Sequence, residues 1–200
     1  MSNNEPIPLL DLGPQYQALR DDIVLVIDEA YGEFADHLDE LTFDLVDHGN
    51  TAVLRTFSKA YGLAAMRIGW GLFPQWIAVE IQKVMNPNTL TSVSEAAAIA
   101  AISDHAYMRE TVDITAQIRD HFRVRLIQSG ITVLPSFTNF LLLEFDTVDQ
   151  ALRLDTALRA EGIFLRPQSG AGLPQCLRLT VGPEDHMTAA LNILEREVRS

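Results

Sequence analysis

Five consecutive branched aliphatic residues, Ile23-Val-Leu-Val-Ile27, run directly into Asp28. The run is too short for a buried helix and has no polar alternation, so it predicts a strand covered on both faces, as in a parallel sheet. A second strand is expected over Thr51–Thr56 and a third over Ile68 to Phe73, with Lys59 and Arg67 on the connection between them. In open α/β sheets the ligand crevice lies outside the carboxyl ends of the strands, which makes Asp28 and Lys59 candidates for one rim. Asp28 also has an ordinary reading as the cap of the following turn.

Lysine is scarce here, with two residues, Lys59 and Lys83, against thirteen arginines. Lys83 falls in the amphipathic stretch Gln75 to Met85, where a solvated face accounts for it. Lys59 follows an apolar strand, with Ser58 beside it and Arg67 eight residues on. An amine so placed suits covalent capture of a phosphate-bearing aldehyde, with the guanidinium fork and the hydroxyl for the phosphate. The alternative is that Lys59 caps or snorkels and Arg67 pairs with a carboxylate. Spacing alone leaves both open.

The segment Thr56-Phe-Ser-Lys-Ala-Tyr-Gly-Leu-Ala-Ala-Met-Arg-Ile-Gly-Trp70 resembles the pyridoxal-phosphate lysine motif of the histidinol-phosphate aminotransferases, a group within the fold-type I aminotransferases of classes I and II. Val26-Ile-Asp-Glu-Ala-Tyr-Gly-Glu-Phe34, Pro135-Ser-Phe-Thr-Asn-Phe140, Gly162-Ile-Phe-Leu-Arg-Pro167 and Cys176-Leu-Arg-Leu-Thr-Val-Gly182 resemble the same group, in its order. The resemblance covers about residues 23–200. It implies an α/β fold, the C-terminal part of a fold-type I large domain (a mostly parallel sheet with helices) followed by a small α+β domain. Expected divisions are an N-terminal segment at 1–22, a partial large domain at 23–105, a linking helix at 106–128 and the small domain at 129–200. The opening Ile7 to Arg20 is faintly similar to the start of the sugar aminotransferases.

The same resemblance implies a pyridoxal 5'-phosphate cofactor and the residues that serve it. Lys59 would form the Schiff base and act as general base, Asp28 would hold the ring nitrogen protonated, and Tyr31 would hydrogen-bond the phenolic oxygen. Such an aspartate is expected in a desolvated setting. Ser58 and Arg67 would bind the phosphate. Arg178 would grip a substrate carboxylate, with Arg166 and Asn139 near the substrate side chain. Arg178 also has a reading from its surroundings, because a charge on the apolar strand Cys176-Leu-Arg-Leu-Thr-Val181 is costly unless paired. Tyr31 could equally be a packing residue, Arg166 a strand end and Asn139 a turn residue, while Glu29 reads as structural. The family's phosphate-binding loop and ring-stacking aromatic are expected in a region before Ile23 that has no counterpart here. The reaction implied is amino transfer between an amino acid or histidinol phosphate and a 2-oxo acid. A related phosphothreonine decarboxylase shares much of the pattern, and a non-catalytic or dimerising scaffold is the reading from another class.

A formal net charge of −12, with no basic run, argues against nonspecific nucleic-acid binding. One cysteine, Cys176, excludes an intramolecular disulfide, and the five histidines lack metal-ligand spacing. No run reaches membrane-spanning length and no secretory signal is visible, so a cytoplasmic protein is expected. A homodimer is expected to cover apolar faces that a partial domain would expose. The remaining pattern predicts a short edge segment at Ile7 to Leu12 and a helix from Gly13-Pro14 to Arg20. Further on it predicts a helix from Gln75 to Met85, a helix capped by Ser92 and running to Ile102, and a long helix from Tyr107 to Gln128. After Gly130 it predicts strands at 131–134, 140–145, 163–166 and 177–181, with helices at 148–161 and 183–198.

Overall fold

In the computed structural model, residues 23–36 and 42–198 are described; the edge segment and helix expected before Arg20 lie outside them. The strand read from the aliphatic run is β1, Leu25–Asp28, which pairs in parallel with β2, Thr51–Thr56. β2 then pairs antiparallel with β3, Gly69–Leu72. Thr51, Ala52, Val53 and Arg55 of the central strand β2 are buried. The expectation that the aliphatic run is covered on both faces is not met, since Leu25 and Val26 are 37% and 55% exposed. Among the described strands β1 stands at the sheet edge, with a paired neighbour on its β2 side alone.

A single helical turn, α1 (Gly32–Ala35), follows β1, and α2 (Gln75–Val84) follows β3. Helix α3, Ser92–Ser103, begins one residue earlier in its capping than the sequence pattern suggests. Thr91, not Ser92, is extended and accepts the Ser94 backbone N–H on its side-chain oxygen at 3.1 Å, because Ser92 has already entered the helix. The Ser94 hydroxyl in turn donates to the Met66 carbonyl at 2.8 Å and ties α3 to the loop after Lys59. Helix α4, His105–Gln128, starts at an Asp104 cap and stops where Gly130 takes φ +86°.

Beyond α4 the chain builds an antiparallel sheet from β4 (Thr132–Val133), β5 (Phe140–Glu144), β6 (Arg166–Gln168) and β7 (Leu173–Thr180), in the order β4-β5-β7-β6. Helices α5 (Val148–Ala160) and α6 (Glu184–Val198) complete it. The strand expected over 163–166 begins only at Arg166. Gly162, at φ +76°, turns the chain, and the Gly162 and Ile163 N–H groups are used to close the end of α5 on Arg159 and Leu158. Pro167 sits in this edge strand, where a missing N–H is tolerated.

Alternate residues of β5 and β7, Leu141, Leu143, Leu177 and Leu179, turn inward onto the helices. Ala151, Leu154 and Leu158 of α5 and Met187, Leu191 and Leu194 of α6 recur at helical spacing and bury one stripe each. Each buried leucine contributes about 1.5–3 kcal/mol. A smaller cluster of Phe57, Ile68 and Ala98, with Tyr61 and Trp70 against it, underlies the loop after β2.

Candidate functional site

Lys59 is held by what flanks it. Phe57 and Ala60 are buried on either side, Gly62 at φ +70° closes the turn with its N–H on the Lys59 carbonyl at 2.9 Å, and the Leu63 N–H bonds the Phe57 carbonyl. The half-buried lysine amine lies 5.2 Å from the centre of the Tyr31 ring. Tyr31 meets Phe140 edge to face at 5.4 Å, and the Arg178 guanidinium lies 5.0 Å from the centre of that same Phe140 ring. A continuous path of cation–ring and ring–ring contacts therefore joins Lys59, on the turn after β2 of the first sheet, to Arg178 on the second.

Neither end of this path is neutralised among the described residues. Among the described residues no carboxylate forms an ion pair with Lys59 or Arg178, and the buried Nε of Arg178 has no hydrogen-bond partner. Arg166 lies opposite Arg178 across β6 and β7 and is exposed. Asn139 adjoins Phe140, its carbonyl fixed by the Val181 N–H at 2.8 Å. The loop before it is tied internally, the Ser136 hydroxyl donating to the Phe140 carbonyl, and buried Arg119 of α4 donates to the Thr138 carbonyl at 3.2 Å.

Other expected residues are placed differently from the sequence reading. Asp28 ends β1 as expected, but it is exposed and its carboxylate accepts the Ala30 N–H at 3.0 Å, the turn-capping alternative. Its desolvated setting is therefore absent among the described residues, for the same reason that β1 is uncovered. Arg67 is exposed, takes φ +51° and donates to the Ala64 carbonyl of its own loop at 2.9 Å. Ser58 is half-buried, with its N–H on the Thr56 hydroxyl at 3.1 Å.

Sequence reasoning passed over Arg55. It is buried and bonds Glu29 at 2.9 Å and Asp36 at 3.0 and 2.6 Å, with Glu33 at 3.7 Å. Burial lowers its pKa, but the hydrogen bonds to Asp36 and Glu29 and the neighbouring charges outweigh that and raise it. The Glu33 carboxyl is pushed up by burial, although its own backbone N–H and Arg55 pull the other way, and its oxygens make no hydrogen bond to another residue. The signal was available: Arg55 is a charge on an apolar strand, and Glu29, Glu33 and Asp36 recur at helical spacing.

Beside Tyr31 a cavity of about 240 Å³ is lined by Asp28, Gly32, Asp36, Phe137 and Thr138 among others. A second hollow of about 510 Å³, lined by Glu144, Asp146, Thr147 and Gln175, lies at the far end of β5 from Phe140 and has no cation on its wall. Only the first adjoins the Lys59–Arg178 path. Among the described residues no helix is long and apolar enough to cross a membrane, and no group of three or more His, Cys, Asp or Glu is placed to hold a metal ion.

The family model for aminotransferase class I and II matches residues 14–194. The chain is 40% identical over 182 residues to histidinol-phosphate aminotransferase of Rhodospirillum rubrum, covering 89% of this chain and 49% of that protein. It is 38% identical over 173 residues to the same-named protein of Roseobacter denitrificans, covering 86% and 48%. The solved structure of histidinol-phosphate aminotransferase from Sinorhizobium meliloti in complex with pyridoxal-5'-phosphate superposes with a TM-score of 0.81 at 34% identity, over 88% of this chain and 49% of that one. The chain thus spans about half the length of the curated relatives it matches.

Proposed function

The chain belongs to the class I and II aminotransferase family, and on that footing we propose that it serves a pyridoxal-phosphate-dependent aminotransferase of the histidinol-phosphate type. The substrates in this reading are an amino acid or histidinol phosphate and a 2-oxo acid. One observation carries it. In a chain of net charge −12, Lys59 and Arg178 lie on one path of ring contacts, and neither forms an ion pair among the described residues. Two unneutralised cations, one with a buried, unpartnered Nε, fit a ligand pair that brings phosphate and carboxylate groups.

When bound, the cofactor supplies an electron sink for negative charge at the substrate α-carbon. Lys59 would hold it through the amine and would move the proton at the substrate α-carbon, a role suited to a lysine on a hydrogen-bonded turn. Ser58 and Arg67 offer a hydroxyl and a guanidinium for the phosphate, Asp28 a carboxylate for the ring nitrogen and Tyr31 a hydroxyl for the phenolic oxygen. Arg178 would take the substrate carboxylate, to which its fork of donors is suited, with Arg166 and Asn139 on the side-chain end. Residues 23–105 and 129–200 then act as two units joined by 106–128. Within this proposal the protein is cytoplasmic and a homodimer. The dimer is supported by exposed Val84, Val93 and Ile99, at 85%, 68% and 61%, which need cover. Light scattering that finds a 22 kDa species at micromolar concentration would contradict it.

Borohydride reduction in the presence of pyridoxal phosphate, followed by peptide mapping, tests the assignment. Label on Lys59 is expected; label on Lys83 or the amino terminus sinks it. The exposure of Asp28 favours a second reading, a scaffold of the same family that does not catalyse. A visible absorbance band on titration with pyridoxal phosphate, bleached by histidinol phosphate, phenylalanine or glutamate, decides for the enzyme; its absence decides for the scaffold.

A further inference from the structure

Asp28 and Tyr31 belong to the turn after β1, whereas Lys59 belongs to the turn after β2. Their relative placement depends on whatever joins those turns. The backbone supplies one hydrogen bond, from the Glu29 N–H to the Leu54 carbonyl at 2.8 Å. Among the described residues, the other hydrogen bonds between the two turns come from a single side chain. Arg55, four residues before Lys59, sends Nε to Glu29 at 2.9 Å and both terminal nitrogens to Asp36 at 3.0 and 2.6 Å, and approaches Glu33 at 3.7 Å. These three carboxylates bracket Tyr31 in an eight-residue segment, residues 29–36.

We propose that Arg55 is a positioning residue whose guanidinium sets where the turn carrying Asp28 and Tyr31 stands over Lys59. The inference rests on the reading of Lys59 and Tyr31 as parts of the cofactor site. Three features fix the guanidinium itself. Its Cζ lies 4.5 Å from the centre of the Phe43 ring and 6.0 Å from that of Trp70, the residue opposite it on β3. The Thr42 hydroxyl donates to the other oxygen of Glu29. On the turn side, a Cβ placed at Gly32 would lie 2.7 Å from the guanidinium carbon, so the glycine backbone rests directly on it. Only a planar fork of donors reaches two carboxylates in this way, because an ammonium is a point charge. Without the cation, three carboxylates within one short segment repel one another, and the segment that presents Tyr31 moves off.

The chain has two lysines, which allows a readout that needs no cofactor. Reductive ¹³C-methylation of the cofactor-free protein gives one methyl resonance each for Lys59 and Lys83, apart from the amino terminus. The Lys59 line is expected upfield of the Lys83 line because its amine lies over the Tyr31 ring, and Tyr31→Leu assigns that shift by abolishing it. Arg55→Met is expected to bring the Lys59 line onto the Lys83 position while far-ultraviolet circular dichroism stays that of the parent. Gly32→Ala keeps all four charges and displaces only the guanidinium, so it is expected to shift the line part of the way. An unchanged Lys59 line in a folded Arg55→Met protein overturns the proposal. Should Arg55→Met not fold, an unchanged line in Gly32→Ala overturns it, and a displaced one supports it. A parent protein with the displaced Lys59 line that takes no borohydride label from pyridoxal phosphate removes the aminotransferase reading and leaves the positioning role in place.

Discussion

Two arginines stand on apolar strands of this molecule, and their surroundings treat them in opposite ways. Arg55 on β2 is 8% exposed, faces three carboxylates and leaves no nitrogen wanting. Arg178 on β7 forms no ion pair among the described residues, rests against the Phe140 ring and keeps a buried Nε without a partner. Burying a charge is costly unless it is paired. The first arginine meets that demand inside the fold, so its work is to hold the fold. The second is only half-buried, and it is the Nε alone that is left unmet, as expected of a side chain whose partner arrives with a ligand. Their regions differ in the same sense. Among the described residues, eighteen buried apolar side chains form one core around β7, whereas the cluster under the Lys59 loop has three, and the first sheet adds the Arg55 ion pairs to the few further buried apolar residues Phe34, Ala52, Val53 and Ala60.

The sharpest way to break this contrast is to remove each charge. Arg55→Met strands three carboxylates, and breaking a buried pair in this manner costs about 3–5 kcal/mol, read as a lowered urea midpoint by far-ultraviolet circular dichroism. Arg178→Met is expected to change the same midpoint by less than about 1 kcal/mol, since it removes an incompletely bonded charge from an apolar strand. It should nevertheless abolish amino-acid-dependent bleaching of the pyridoxal phosphate absorbance while Lys59 still takes the borohydride label. Equal destabilisation by the two substitutions would erase the distinction drawn between them.

Leu154→Ala, in the dense core on α5, should cost about 2–5 kcal/mol through lost burial and a residual cavity. Because no charge is involved, that loss should be the same at low and high salt, while the effect of Arg55→Met should depend on both salt and pH. A salt-dependent Leu154→Ala penalty would mean that the two regions are not held by different forces.

Glu33 sharpens the comparison by titration. Its carboxyl is pushed above the usual value of 4.5 chiefly by burial, opposed by its own backbone N–H and by Arg55 and reinforced by Asp36 and Glu29. A group with a raised folded pKa contributes stability that is complete below the unfolded value and lost as pH rises through the folded value. Glu33→Gln removes that loss. The variant should match the parent near pH 4 and exceed it at pH 8, as read from urea midpoints at the two pH values. A variant weaker than the parent at pH 8 would mean that the ionised Glu33–Arg55 contact is a net gain. The smallest effect belongs to the exposed pair of Lys83 with Glu80 on α2, where Lys83→Ala should alter stability by no more than about 0.5 kcal/mol.

Local pattern in the sequence determined the order of most elements, and the resemblance of its motifs to a known family implied the class of the fold and the proposed members of the site. The aliphatic run before Asp28 fixed β1, the span of β2 agrees residue for residue, and Ser129-Gly130 marked the end of α4. Motifs around Lys59, Tyr31 and Arg178 placed the chain beside the family to which it belongs. Boundaries failed where a hydrogen bond decided them, as when the end of α5 consumed Ile163 and delayed β6 to Arg166. What only the tertiary structure decided was which charges are compensated and which faces are covered. Arg55 and Arg178 look alike in sequence, each a cation among apolar neighbours. Compensation depends on atoms brought within about 3 Å from elsewhere in the chain. Asp36 lies nineteen residues from Arg55 and Phe140 thirty-eight from Arg178, separations that only packing closes.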